Sequence, residues 1–224
     1  MKLKNTTTLA YLINKAHENY GFVSAFIYGH QGVGKTTYAL KTLYYVYGDW
    51  DKALEYTFFD VEDLMNKLKW AFLKIKKPHD RIKAVLLDDA GYSIIKYTWR
   101  EDRSIQLSKF FNLARSVVSG IIFTSVETTD ILAFIRDKIM YPISIRIVDK
   151  QYSEARGYRI YLSPLMEKLP KKVFRDLFIR RLPDHVYQEY EKKRKAALSK
   201  LFGLSQEEQL VESEEKLEEI IKSW

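Results

Sequence analysis

Apolar residues along the chain follow two rhythms. Short unbroken runs, FVSAFIYG at Phe22–Gly29, KAVLLDD at Lys83–Asp89 and GIIFTS at Gly120–Ser125, have the length and punctuation of buried strands. Between them the apolar positions recur at helical spacing, as with Leu64, Leu68, Phe72 and Ile75 inside Val61–Lys76. The pattern predicts helices over Thr8–Asn19, Lys35–Tyr47 (stopped by Gly48-Asp49), Val61–Lys76, Ser104–Val117 and Asp130–Ile139. It predicts further strands at Tyr56–Phe59, Ile143–Val148 and Tyr158–Leu162, the last two as a hairpin across Tyr152–Gly157. Helices at Lys171–Arg181 and Asp184–Phe202 follow. Strands alternating with helices imply an α/β fold with a mostly parallel central sheet and helices on both faces. No internal repeat and no Pro/Gly/Ser linker interrupts this order.

Composition narrows the chemistry. The chain has 224 residues, 46% of them hydrophobic and 14% aromatic, which excludes disorder throughout. It has no cysteine, so disulfides, thiolate zinc sites, iron–sulfur clusters and a cysteine nucleophile are excluded and a cytoplasmic address is favoured. No apolar run approaches a membrane span, and the N-terminus does not read as a signal peptide. Scarce Asn and Gln beside abundant Lys, Glu, Ile and Tyr fit a heat-adapted proteome. The formal net charge is +8, unevenly spread. Ser205–Trp224 holds seven glutamates against Lys216 and Lys222, leaving a basic body that favours a polyanionic partner.

The run GHQGVGKTT, Gly29–Thr37, matches G-x-x-x-x-G-K-[ST] at Gly29, Gly34, Lys35 and Thr36, between an expected strand and an expected helix. Glycines, Gly32 among them, let backbone N–H groups turn inward around phosphates, and the helix N-terminus adds a favourable dipole. Lys35 is placed for the β- and γ-phosphates, Thr37 joins the cradle, and the Thr36 hydroxyl suits Mg²⁺. ATP with Mg²⁺ is therefore the expected ligand. Asp88-Asp89 ends an apolar strand, the place where carboxylates meet a phosphate loop in an open α/β sheet. Asp88 is the expected Mg²⁺ partner, directly or through water, and Asp89 the group that polarises an attacking water; a solvated Asp-Asp turn is the plain alternative. Thr124 and Ser125 end the third strand as candidate γ-phosphate contacts, or as caps of the next helix. Arg136 is the candidate arginine finger toward a neighbouring subunit, with Arg115 as its rival and a surface pair with Asp137 or Asp130 as the alternative.

Residues 165–200 carry eleven Lys/Arg against five Asp/Glu, with Lys171, Lys172, Arg175, Arg180 and Arg181 near helical spacing and a second cluster at Lys192–Lys195. Such a surface suits sequence-independent DNA binding, or is simply a solvated face. Tyr97, Trp99, Arg100 and Arg103 mix aromatic and basic groups in a way that suits single-stranded DNA, or a core. The tail from Ser205 sets Leu210, Leu217, Ile220, Ile221 and Trp224 on one helical side, an amphipathic helix for its own body or a protein partner. The four histidines show no metal-ligand spacing.

Taken together, VLLDDAG, SGIIFTS, IRDKI and GYRIYLS resemble, in that order, the P-loop ATPases of the ASCE/AAA-type group, including helicase loaders, replication initiators and transposase helper ATPases. Asp88, Asp89, Gly91 and Gly157–Arg159 are the more particular marks, and the likeness runs from about Phe22 to Leu162. SAFIYGHQGVGKTTYAL, LLDDAG, SVVSGIIFTS and LPDHVYQEYEKKR are more closely similar to ATPases of spindle-shaped viruses and related plasmids of hyperthermophilic archaea, as far as about Arg194. The resemblance implies a P-loop NTPase fold of ASCE (RecA/AAA-like) type, MgATP hydrolysis, a homo-oligomer and a mobile-element role in the host cytoplasm. Two departures stand out. No helical lid with a second sensor arginine follows Leu162, and the additional lysine of plasmid-partition ATPases would fall at His30. The expected organisation is an ATPase domain over 1–163, a basic helical extension over 164–204 and an acidic helical tail over 205–224. The expected role is a replication initiator or helicase-loader-like ATPase. A DNA packaging or segregation motor, a small-molecule phosphotransferase and a nucleotide-dependent scaffold are the alternatives. The strand Gly120–Ser125 is expected to lie between the phosphate-loop strand and Lys83–Asp89.

Overall fold

The computed structural model describes residues 6–90, 94, 105, 107–109, 111, 113–127, 129, 132–162 and 168–202. Helix α1 (Thr8–Glu18) starts where the Thr7 hydroxyl accepts the Ala10 N–H. Strand β1 (Val23–Tyr28) leads into α2 (Lys35–Tyr47), which Gly48 ends in the left-handed conformation. Short α3 (Trp50–Glu55) was not expected: Asp49, read as part of a helix stop, caps the next helix by accepting the Lys52 N–H. Strand β2 (Thr57–Phe58), α4 (Val61–Phe72), β3 (Val85–Leu87) and β4 (Gly120–Ser125) follow, then α5 (Ala133–Arg136). Strands β5 (Tyr141–Ile147), β6 (Tyr152–Leu162) and β7 (Lys168–Ile179) complete the sheet, and α6 (Asp184–Phe202) comes last.

The seven strands are ordered β2-β3-β4-β1-β5-β6-β7. Pairing is parallel from β2 to β5 and antiparallel from β5 to β7. As expected, β4 separates the phosphate-loop strand from the strand that ends in Asp88, the order of an ASCE P-loop NTPase. All six residues of β4 and all three of β3 are buried, because both faces of these central strands are covered. Helices α1 and α2 pack on one face. On the other, Phe26, Val85, Leu87, Ile121 and Phe123 join Leu64 and Leu68 of α4 in one apolar cluster with Leu107 and Ile135. Within the stretch Ser104–Val117, the described residues from Ile105 to Leu113 are helical and Ala114–Ser116 form a 3-10 turn.

Three expectations need correction. Of the helix expected over Lys171–Arg181, residues 171–179 belong to β7, so 164–204 is not helical throughout. Phe174, Leu177 and Phe178 satisfy helical spacing, yet Phe174, Asp176 and Phe178 are the buried set, with strand period. The carboxylate on the inward face concealed the alternation. It accepts the Thr8 N–H (2.7 Å), the Thr8 hydroxyl (2.6 Å) and the Tyr38 hydroxyl (2.8 Å), joining β7 to α1 and α2. Second, the hairpin turns at 148–151 rather than across Tyr152–Gly157, because the Asp149 carboxylate accepts the N–H groups of Gln151 and Tyr152 (both 2.8 Å). Third, of the helix expected over Asp130–Ile139, Ala133–Arg136 is what the described residues show. Tyr97, Trp99, Arg100, Arg103, Gly91 and the tail from Ser205 lie outside the described residues.

The chain divides into two compact units, Met1–Leu182 and Pro183–Trp224. The described part of the second unit is α6, on which Lys192 pairs with Glu189 at 2.6 Å and Arg194 with Glu191 at 3.7 Å. No described helix is long and apolar enough to cross a membrane.

Candidate functional site

The loop between β1 and α2 turns on three glycines with positive φ: Gly29 (+146°), Gly32 (+75°) and Gly34 (+97°). At two of them a side chain would meet neighbouring atoms as well as backbone strain. A Cβ on Gly29 would stand 2.7 Å from the Ile145 carbonyl oxygen, and one on Gly34 would press on Phe178 and Arg180 at 3.3 Å. The loop thus packs against β5 at its first glycine and against the end of β7 at its last. Lys35 is the first residue of α2, and its ammonium reaches back over the loop to donate to the carbonyls of Gly29 (2.8 Å) and His30 (2.9 Å). A fixed positive charge at the mouth of a glycine-lined turn on a helix N-terminus is an anion-binding arrangement.

Strand order brings the second motif to the first. The Thr36 hydroxyl lies 3.1 Å from both carboxylate oxygens of Asp88, a residue with no solvent exposure. Thr124, at the end of the intervening β4, donates its hydroxyl proton to Asp88 and accepts the Asp89 N–H at 2.9 Å. Thr124 therefore binds both carboxylate residues. Asp89 is exposed and has φ +50°, a left-handed conformation that Asp tolerates better than most side chains. Its polar end stands at the surface while its backbone is fixed from below. Ser125 is buried at the same strand end. A hydroxyl beside a buried carboxylate is an all-oxygen donor set of the kind Mg²⁺ takes, so the residues fit the implied ion. The described residues contain no cluster of three or more His, Asp or Glu side chains that could hold a metal without help from a ligand.

Thr37, next to Thr36, turns the other way and donates to the Arg180 carbonyl at 3.1 Å. Lys41, one turn on, donates to the Ile179 carbonyl at 2.6 Å, and burial lowers its pKa. Tyr38 is fully buried beneath the loop, and burial together with neighbouring Asp176 raises its phenol pKa well above the ordinary value. The end of β7 is thus a wall of the site, which the expectation of a basic helix missed. The signal available was the apolar–acidic–apolar spacing of Phe174, Asp176 and Phe178.

The two finger candidates lie elsewhere. Arg115 sits before β4, and its carbonyl accepts from Arg81, which also bonds the Gly21 carbonyl before β1. This is the N-terminal edge of the parallel strands, opposite the phosphate loop. Arg136 is exposed at the end of α5, and the next residues run beside the start of β1, where Ser24 donates to the Lys138 carbonyl at 2.6 Å. From Ser24 to the loop is five residues of strand, about 16 Å.

Glu154 on β6 has no solvent exposure and accepts from Nε of Arg146 (2.9 Å), Arg156 (2.5 Å) and Arg175. Burial alone would raise its pKa; the arginine hydrogen bonds outweigh that and hold it at about 2. Past Gly157, where the β5 pairing ends, β6 and β7 continue as a two-stranded ribbon. Arg159, Lys171 and Lys172 are exposed there, and Arg159 lies 5.7 Å from the Tyr161 ring.

No protein-family model matches the chain. The uncharacterized protein B-251 of Sulfolobus spindle-shape virus 1 is 33% identical over 97% of this chain and 92% of its own length. The uncharacterized protein ORF286 of Acidianus two-tailed virus is 28% identical over 77% of this chain, which spans 60% of that relative. Among solved structures, the N-terminal domain of zonular occludens toxin from Neisseria meningitidis is 14% identical, with a TM-score of 0.40 over 75% of this chain and 97% of its own. A KaiC-like protein of Pyrococcus horikoshii OT3 is also 14% identical, with a TM-score of 0.35 over 67% of this chain and 91% of its own.

Proposed function

The chain belongs to the family of the spindle-shaped virus protein B-251, and on that premise we propose that it is a Mg²⁺-dependent ATPase of a mobile genetic element that acts on DNA, as a replication initiator or helicase-loader-like protein. The observation that carries the ATPase is the convergence of Lys35, Thr36, Asp88 and Thr124 at one strand edge. The loop N–H groups and the Lys35 ammonium bind the β- and γ-phosphates. Thr36 and Asp88 hold Mg²⁺, which when bound neutralises charge on the phosphate oxygens. Asp89 accepts a proton from the attacking water as its oxygen bonds to the γ-phosphorus. The bond from that phosphorus to the β–γ bridging oxygen breaks, and ADP leaves with the electron pair. Thr124 positions both carboxylates, and Arg136 of a neighbouring copy supplies positive charge to the transition state.

The DNA half of the reading is supported by the outer face of β5–β7. Three arginines surround one glutamate, and Arg156 lies directly opposite Arg175 across the strand pair. Like charges so placed are destabilising, and one arginine would neutralise Glu154. Surplus guanidinium groups continuous with an exposed basic ribbon suit a sugar–phosphate backbone. The test is ATP turnover by wild type and Lys35→Ala, each with and without DNA over a salt series. Expected are turnover that needs Lys35, stimulation by DNA at low salt, and loss of that stimulation as salt rises. Unchanged turnover in Lys35→Ala refutes the site, and a rate indifferent to DNA at low salt refutes the DNA role.

A further inference from the structure

The two neighbouring threonines at the start of α2 give the phosphate site a direction. Thr36 is tied to Asp88 on the β3–β4 flank of β1, and Thr37 to Arg180 on the β5–β7 flank. If the metal and γ-phosphate end of a nucleotide lies beside Asp88, its nucleoside end extends across the opposite flank. The residues found there are Arg180 and the β5–β6 turn.

Arg180 is built into that flank. Its N–H donates to the Gln151 carbonyl at 2.9 Å, and Nη2 donates to the carbonyls of Asp149 (2.8 Å) and Lys150 (2.5 Å). Its Cγ stands 3.3 Å from the place a Cβ would occupy on Gly34. The stem therefore lies on the phosphate loop while one end of the guanidinium is pinned by the turn. The Nε–H, by contrast, is buried with no acceptor. Buried donors are nearly always satisfied, and an orphan beside a ligand site marks where an acceptor arrives. A guanidinium plane offers two things to a nucleoside: N–H donors for a ring nitrogen or ribose oxygen, and a flat cationic face for a base.

We propose that Arg180, held by the 149–151 turn, is the nucleoside anchor of this site, contacting the base and ribose rather than the β- and γ-phosphates. The assignment rests on the phosphate-site reading above. It makes Arg180 a binding residue that separates nucleotides from plain polyphosphate.

The experiment measures binding of ATP, ADP and inorganic tripolyphosphate, each with Mg²⁺, to the full chain by calorimetry. Arg180→Met keeps the stem against Gly34 and removes the guanidinium; Arg180→Lys keeps the charge without the planar fork. Both should weaken ATP and ADP about 10-fold or more while tripolyphosphate stays within about 2-fold. Equal weakening of all three ligands, or none, overturns the assignment. A readout on the unmutated chain guards against variants that do not fold: ATP should shield Arg180 from phenylglyoxal, mapped by peptide mass, and tripolyphosphate should not. Equal shielding by both, or by neither, overturns it as well. Wild type that binds neither ATP nor tripolyphosphate sinks the phosphate-site reading and Arg180 with it; wild type that binds both with Arg180→Met unaffected sinks Arg180 alone.

Discussion

Replacing Thr124 by Val separates two roles that its position allows. Valine keeps the β-branched shape and removes the hydroxyl, so β4 and its packing persist. Two hydrogen bonds vanish: the one donated to the buried Asp88 carboxylate and the one accepted from the Asp89 N–H. The first is charge-assisted and contributes about 1.5–3 kcal/mol; the second contributes about 1 kcal/mol. The sum, about 3 kcal/mol, corresponds to a fall in Tm of about 6–12 °C for a chain of this size. Turnover should fall further, because Asp89 then holds its left-handed conformation without that anchor. A misplacement of about 1 Å at a reacting group costs up to about 100-fold. ATP affinity should stay within about 2-fold, since Lys35 and the loop glycines are untouched. Thr124→Ser restores both bonds and should recover most of the rate. The assays are thermal unfolding, steady-state kcat and direct ATP binding on the three proteins. If Thr124→Val keeps kcat but loses ATP affinity 10-fold, the hydroxyl meets phosphate and the positioning role is refuted.

Three further outcomes are expected. Arg136→Ala should abolish turnover and spare ATP binding, and mixing it with Asp89→Ala should restore some turnover if the guanidinium acts between copies; equal inactivity of all mixtures refutes this. Glu154 binds its proton less readily folded (pKa about 2) than unfolded (4.5), so its stabilisation is complete above pH 4.5 and disappears as pH falls through about 2. The urea midpoint of wild type should exceed that of Glu154→Gln most above pH 4.5, with the gap narrowing toward pH 2. Asp176→Asn turns an N–H₂ toward donors on Thr8 and Tyr38 and should destabilise by about 2 kcal/mol, read as a lower urea midpoint with unchanged slope.

The parts legible in the sequence are those where side-chain polarity and burial agree. In β1, β3 and β4, apolar runs are buried on both faces, so the strands could be read from Phe22–Gly29, Lys83–Asp89 and Gly120–Ser125, while their order followed from the resemblance to ASCE-type ATPases. The phosphate loop was legible for a different reason: its backbone needs glycine, which leaves a fixed spacing. The β6–β7 half was misread where polarity and burial disagree. Glu154 and Asp176 are both buried, on opposite faces of the sheet, and Arg146, Arg156 and Arg175 are drawn around Glu154. A sequence shows each of these as a charge and assigns it to solvent.

That disagreement has a physical cause that bears on function. A buried carboxylate is costly unless donors converge on it, and here the donors come from distant segments: Thr8 and Tyr38 for Asp176, two other strands for Glu154. Asp176 fixes β7 against α1 and α2, and this sets the end of β7, Phe178 to Arg180, against Gly34 and Thr37. A purely apolar β7 would bury as well but would fix its register less strictly, since one-residue slips between apolar faces cost less than orphaning a carboxylate. The charges that hid the strand therefore also determine where Arg180 meets the phosphate loop.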